Sequence, residues 1–187
     1  MINPVQFYPS INVLGKLIQV SEESISEVNI TCHPYILQKD FQVGGLAGTA
    51  QPLQRLVSYI TGKFHLSVYA GMKDENRVSS LSINYGSFQV RIIFNELQVG
   101  WTMELSGANF RAIADHTGML RLNNDVEDTV PASSSVWDRA LTDNMEYFLQ
   151  AVRDRSEFPE GPLDGLASII LNRALKDSLI TGEKVNL

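Results

Sequence analysis

Proton transfer and nucleophilic attack draw on histidine, cysteine and paired carboxylates, and this sequence holds few of them in useful spacings. His33, His65 and His116 lie far apart, with neither an H-x-H nor an H-x-x-x-H pair to bring two imidazoles to one metal. Cys32 and His33 are neighbours on an expected strand, so their side chains project to opposite faces and do not readily share a ligand. A thiol paired with a distant histidine would make a nucleophile, but nothing local supports one, and a buried inert thiol is expected. The acids Asp125, Glu127 and Asp128 stand in a polar stretch that predicts a solvated loop, not general acid–base work. Neither a G-x-S-x-G elbow nor a P-loop is present.

A dinucleotide needs a strand followed by G-x-G-x-x-G at a helix start, where backbone N–H groups and the helix dipole hold the pyrophosphate. The one glycine cluster ahead of a helix, Gly44-Gly45-Leu46-Ala47-Gly48, has the wrong spacing and no apolar strand before it. A turn feeding a helix is the expected role, and the chain shows no cofactor site of its own.

The elements that must position these residues follow from periodicity. A helix is expected after Pro9, capped by Ser10, with Ile11, Leu14, Leu17 and Ile18 on its apolar face. Residues 25–34 read as a strand, 35–45 as a loop and 46–61 as a helix burying Leu46, Ala50, Leu53, Val57 and Ile60. Strands are expected at 65–72, 77–85, 88–96, 99–106, 109–115 and 118–122, separated by turns such as Tyr85-Gly86-Ser87 and Ser106-Gly107-Ala108. Ser80 and Ser82 alternate with Leu81 and Ile83, so one side of the sheet is expected to face water. Residues 123–135 read as a surface loop. Two closing helices, 136–154 and 162–179, are expected to bury Trp137, Leu141, Met145, Phe148 and Val152, then Leu166, Ile169, Ile170 and Leu175. Strands in the middle and helices at both ends predict an α+β domain, a largely antiparallel sheet with helices on one face.

The totals fit that picture. The 187 residues suffice for one well-packed domain, and 44% hydrophobic with 19% charged content is globular. A net charge of −6 with scattered basic residues argues against nucleic acid or an anionic membrane as partner. A lone cysteine, no apolar run of membrane-spanning length and no secretion signal predict a cytoplasmic protein.

The chain's ends have a further likeness. Asn3, Phe7, Tyr8 and Pro9 precede the first helix; Asp143 to Arg153 reads DNMEYFLQAVR; Asp164-Gly165-Leu166-Ala167 follows, then Ala174, Ser178, Thr181-Gly182-Glu183-Lys184-Val185. That succession resembles the second domain of the glucose–fructose oxidoreductase / inositol dehydrogenase / MocA family of nicotinamide-dependent oxidoreductases. The resemblance implies an interdomain-type helix at 1–20 and a substrate-binding-type domain at 21–187. It implies an open mixed sheet of the glyceraldehyde-3-phosphate dehydrogenase-like C-terminal type, and a homodimer through the free sheet face. The family's nucleotide-binding first domain has no counterpart here, so NAD or NADP is expected only if such a domain is supplied.

In the family, the glycine-rich turn and helix carry an Asp and a His four residues apart, and a first-domain Lys assists proton transfer. This chain offers Ala47 or Gly48, then Gln51 or Pro52, then Gln54 or Arg55, and no acid or imidazole in either register. Amides hydrogen-bond but exchange no proton at neutral pH. No catalytic residue is therefore assigned, and the domain is expected to be inactive alone. Tyr35, Gln38, Lys39, Gln51, Gln54 and Arg55 remain as candidate contacts for a small polar ligand such as a sugar or polyol, against ordinary surface roles for each. The alternative is a free-standing, non-catalytic binding or assembly module.

Overall fold

The structure, a computed structural model, describes residues 11, 13–16, 25–32, 57, 66–74, 77–95, 97, 100–123, 125–128, 136–156 and 162–187. Nine strands make one sheet: β1 (Ile25–Cys32), β2 (Ser67–Asp74), β3 (Arg77–Asn84), β4 (Gln89–Phe94), β5 (Trp101–Gly107), β6 (Arg111–Asp115), β7 (Met119–Leu122), β8 (Asp125–Asp128) and β9 (Val185–Asn186). Two long helices, α1 (Val136–Asp154) and α2 (Pro162–Thr181), lie between β8 and β9 in the chain.

The strand order is β8-β7-β6-β5-β1-β4-β3-β2-β9. β1 is the midpoint, with four strands on each side. β2–β3–β4 is one antiparallel meander and β5 to β8 another. They meet across β1, which pairs parallel with β4 and antiparallel with β5. That parallel junction requires a crossover from β1 to β2, the stretch that includes the glycine-rich turn. The expected α+β class, largely antiparallel and open, is what the chain adopts.

Alternation decides the two faces. Val28, Ile30 and Cys32 of β1, Leu81 and Ile83 of β3, Val90 and Ile92 of β4, and Met103 and Leu105 of β5 all point to one side and are buried. Against that side pack Ile11, Leu14, Val57, Leu171, Ala174 and Leu175. Residues 11 and 13–16 are helical, and Ile11 and Leu14 are buried as expected; Leu17 and Ile18 lie outside the described residues. Of the expected 46–61 helix only Val57 is described; it is helical and 1% exposed. Ser80 and Ser82 are partly exposed beside buried Leu81 and Ile83, so the sheet has the wetter side their pattern predicts.

Two expectations are corrected, and one further strand appears where no element was expected. Residues 125–128 are not loop but the edge strand β8, in register with β7 from Leu122↔Asp125 to Met119↔Asp128. Its charged composition hid it, and charge is how an exposed edge avoids pairing with another chain. Residues 185–186 form a short strand on the opposite edge, antiparallel to β2. The closing helices also bury different residues. Met145, Phe148, Val152, Leu166, Ile169 and Ile170 are exposed, while α2 sinks Leu171, Ala174, Leu175 and Ser178 against the sheet. Leu175 alone of the described expected set is buried, and the side chains of Trp137 and Leu141 lie outside those described. Apolar spacing marks a face but not what covers it. Among the described residues no helix is long and apolar enough to cross a membrane.

Candidate functional site

The six candidate ligand contacts, Tyr35, Gln38, Lys39, Gln51, Gln54 and Arg55, lie outside the described residues, as do His33, His65 and the Gly44–Gly48 turn. What the structure describes is the place in the sheet from which that segment departs. The chain leaves the C-terminal end of β1, the central strand, and Cys32 is the last residue described there. Cys32 pairs with Phe94 on one side and Trp101 on the other. The Asn95 N–H donates to the Cys32 carbonyl at 3.0 Å, extending the β1/β4 ladder one step beyond β4.

Beside this floor sits the turn between β6 and β7. The His116 N–H donates to the Trp101 carbonyl at 3.0 Å. Gly100 has φ +70, and a Cβ there would collide with the His116 ring, so the ring lies directly over the Gly100 backbone. His116 Nδ1 is buried and has no hydrogen-bond partner among the described residues. Asp115 braces the turn through one oxygen: its Oδ1 accepts from the Thr117 N–H at 2.8 Å, the Thr117 hydroxyl at 2.6 Å and the Met119 N–H at 3.3 Å.

The chemistry this floor can do is limited. Cys32 is fully buried, and loss of solvent pushes its thiol up to about 11, so it stays protonated at neutral pH and is a poor nucleophile. This agrees with the inert thiol expected from the sequence. No group of His, Cys, Asp and Glu among the described residues could hold a metal. His116 is the one histidine described, and its contact with Gly100 had no signal in the spacing, because it joins two different turns.

At the far end of the sheet, Ser178 makes a contact that periodicity did not single out. Its Oγ accepts the Ala70 N–H at 3.0 Å and its hydroxyl donates to the Glu183 carbonyl at 2.7 Å. β9 is too short to cover all of β2, and Ser178 takes the amide it leaves unpaired. Gly182, at φ +70, then closes α2 through its N–H to the Ser178 carbonyl at 2.8 Å. The Ser178…Thr181-Gly182…Val185 pattern is thus a clamp of helix, strand and tail.

No family profile and no curated protein matches the sequence. Solved structures do match it. An oxidoreductase domain protein from Kribbella flavida superposes with a TM-score of 0.77 at 10% identity, over 98% of this chain and 64% of its own. A myo-inositol dehydrogenase from Corynebacterium glutamicum gives 0.73 at 16% identity, over 98% and 63%. An oxidoreductase from Agrobacterium radiobacter, solved with NAD+, L-tartaric acid and magnesium, gives 0.71 at 10% identity, over 98% and 63%. The chain therefore spans somewhat less than two thirds of each. At these identities the likeness is one of fold, and it is the fold that the family resemblance implied.

Proposed function

We propose that these 187 residues act as the substrate-binding-type half of a nicotinamide-dependent oxidoreductase, holding a small hydroxyl-rich compound and pairing subunits through the open sheet face. Hydride transfer would rely on a nucleotide-binding unit with no counterpart in this sequence. The observation that supports this is the fold shared over 98% of the chain with proteins that include a myo-inositol dehydrogenase and an oxidoreductase solved with tartrate. The six polar and aromatic candidates lie just beyond β1 or at the start of the expected helix, where planar amides and Tyr35 suit a polyol. The lack of an Asp/His pair at positions 47–55 favours a second reading, a binding or assembly module that does no redox chemistry.

Titrating the chain with myo-inositol, tartrate, NADH and NADPH, followed by tryptophan fluorescence and calorimetry, tests both. The expected result is polyol or hydroxyacid binding that is weakened by Gln51→Ala and Gln54→Ala, and no tight dinucleotide binding. Tight NADH binding by the chain alone, turnover of a polyol without dinucleotide, or indifference to every hydroxylated compound would overturn the proposal.

A further inference from the structure

We infer that the backbone of Leu187 is a latch on the crossover: its N–H fixes the point at which the chain re-enters the sheet, and so positions residues 35–55 for their ligand. The inference rests on the reading above only for what that segment binds.

The crossover runs from Cys32 to Leu66, and its two ends are held unequally. Cys32 closes the central strand, in register with Phe94 on one side and Trp101 on the other, and its carbonyl accepts the Asn95 N–H. Two flanking strands fix that end inside the sheet. The other end arrives at the margin. Leu66 stands one residue before β2, where the buried positions Ser67, Val68 and Ala70 begin. Its side chain is 54% exposed, so burial does little to hold it. Backbone bonds hold it instead. The Leu66 N–H donates to the Asn84 carbonyl at 2.6 Å, and the Leu66 carbonyl accepts the Leu187 N–H at 2.8 Å. The first ties the re-entry point to β3, the second to the residue that follows β9.

The rest of β2 does not depend on Leu187. Val185 and Asn186 pair with Val68 and Ser67, and Ser178 takes the Ala70 N–H. β3 pairs with β2 from Ser67 to Asp74. If the Leu187 bond is lost, β2 therefore keeps its neighbours, whereas Leu66 keeps one bond of two. Loss of the bond loosens the crossover and not the sheet. A ligand that orders residues 35–55 must then offset conformational entropy that the latch had already removed, and its affinity falls.

Leu187→Pro removes the donor and keeps the chain length, while Leu187→Ala keeps the donor and trims an exposed side chain. Hydrogen exchange read by mass spectrometry tests the latch without any ligand. In the Pro variant, amides of residues 50–65 are expected to exchange about five- to tenfold faster, the worth of one backbone bond, with β4, β5 and β6 unchanged. Calorimetry with myo-inositol and tartrate is expected to show Kd raised by a similar factor. Leu187→Ala is expected to match the wild type in both measurements. Unaltered exchange at 50–65, an equal rise in β4 to β6, or an Ala variant that behaves as the Pro variant does would each overturn the latch. So would a Pro variant that binds either compound as tightly as the wild type. A wild type that ignores both compounds overturns the proposed ligand class instead, and the exchange measurement then decides the latch alone.

Discussion

Helices α1 and α2 follow one another, with nearly equal lengths of 19 and 20 residues, yet they relate to the sheet in opposite ways. In α1, Leu141, Met145, Phe148 and Val152 recur at four, three and four residues, the pattern of a helix with one buried side. Even so, Met145, Phe148 and Val152 are all more than 40% exposed. α2 has apolar residues on every side, interspersed with Asn172, Arg173, Lys176 and Asp177. It is anchored by Leu171, Ala174 and Leu175, while Leu166, Ile169 and Ile170 on its other side remain exposed. Among the described residues, the helix with the weaker sidedness is the one that joins the sheet's core cluster, while α1 buries Ala151. A periodic stripe states that a helix has an apolar face, whereas docking depends on which surface the topology brings alongside. For α2 that surface is β2, reached because β9 ties the end of the helix to the sheet edge.

Three substitutions separate the two helices, taken from the largest effect down. Leu175→Ala empties a fully packed position on α2 and should cost about 2–5 kcal/mol in urea unfolding. A loss under about 1 kcal/mol would mean that Leu175 does not anchor α2. Ser178→Ala strands both the Ala70 N–H and the Glu183 carbonyl, and should cost about 1–3 kcal/mol. Faster hydrogen exchange at the Ala70 amide and retention of stability in Ser178→Thr would tie the loss to the hydroxyl. Phe148→Ala, on the exposed stripe of α1, should change the unfolding free energy of the isolated chain by less than about 1 kcal/mol. A loss matching that of Leu175→Ala would erase the contrast between the helices.

Much of the fold was legible. The α1 boundaries fall where the apolar spacing and the polar stretch before it put them, and α2 extends two residues past its expected end. β1 to β7 lie within two or three residues of their expected positions, because alternation and glycine or Asx turns are local signals. Tyr85-Gly86-Ser87 is one such turn: Gly86 sits at φ +83, and the Tyr85 and Phe88 rings stack at 4.9 Å. β8 escaped because three of its four residues are acids, and β9 because two residues carry no period. Of the site, the sequence supplied names without neighbours, and the structure supplies the floor from which they rise: Cys32, Phe94 and Trp101, with His116 over Gly100 alongside.

By itself, then, the sequence determined the kinds and order of the elements apart from β8 and β9, the wetter side of β3 and the absence of an Asp/His pair at positions 47–55. These are properties of residues close together in the chain. Only the tertiary structure decided that β1 lies at the centre, that Arg91 and Glu104 flank Asn29 across three strands, and that Ser178 closes a gap in β2. Those depend on pairings between residues tens of positions apart. Several registers and docking partners would satisfy the same local pattern, and only the packing of the whole chain chooses among them.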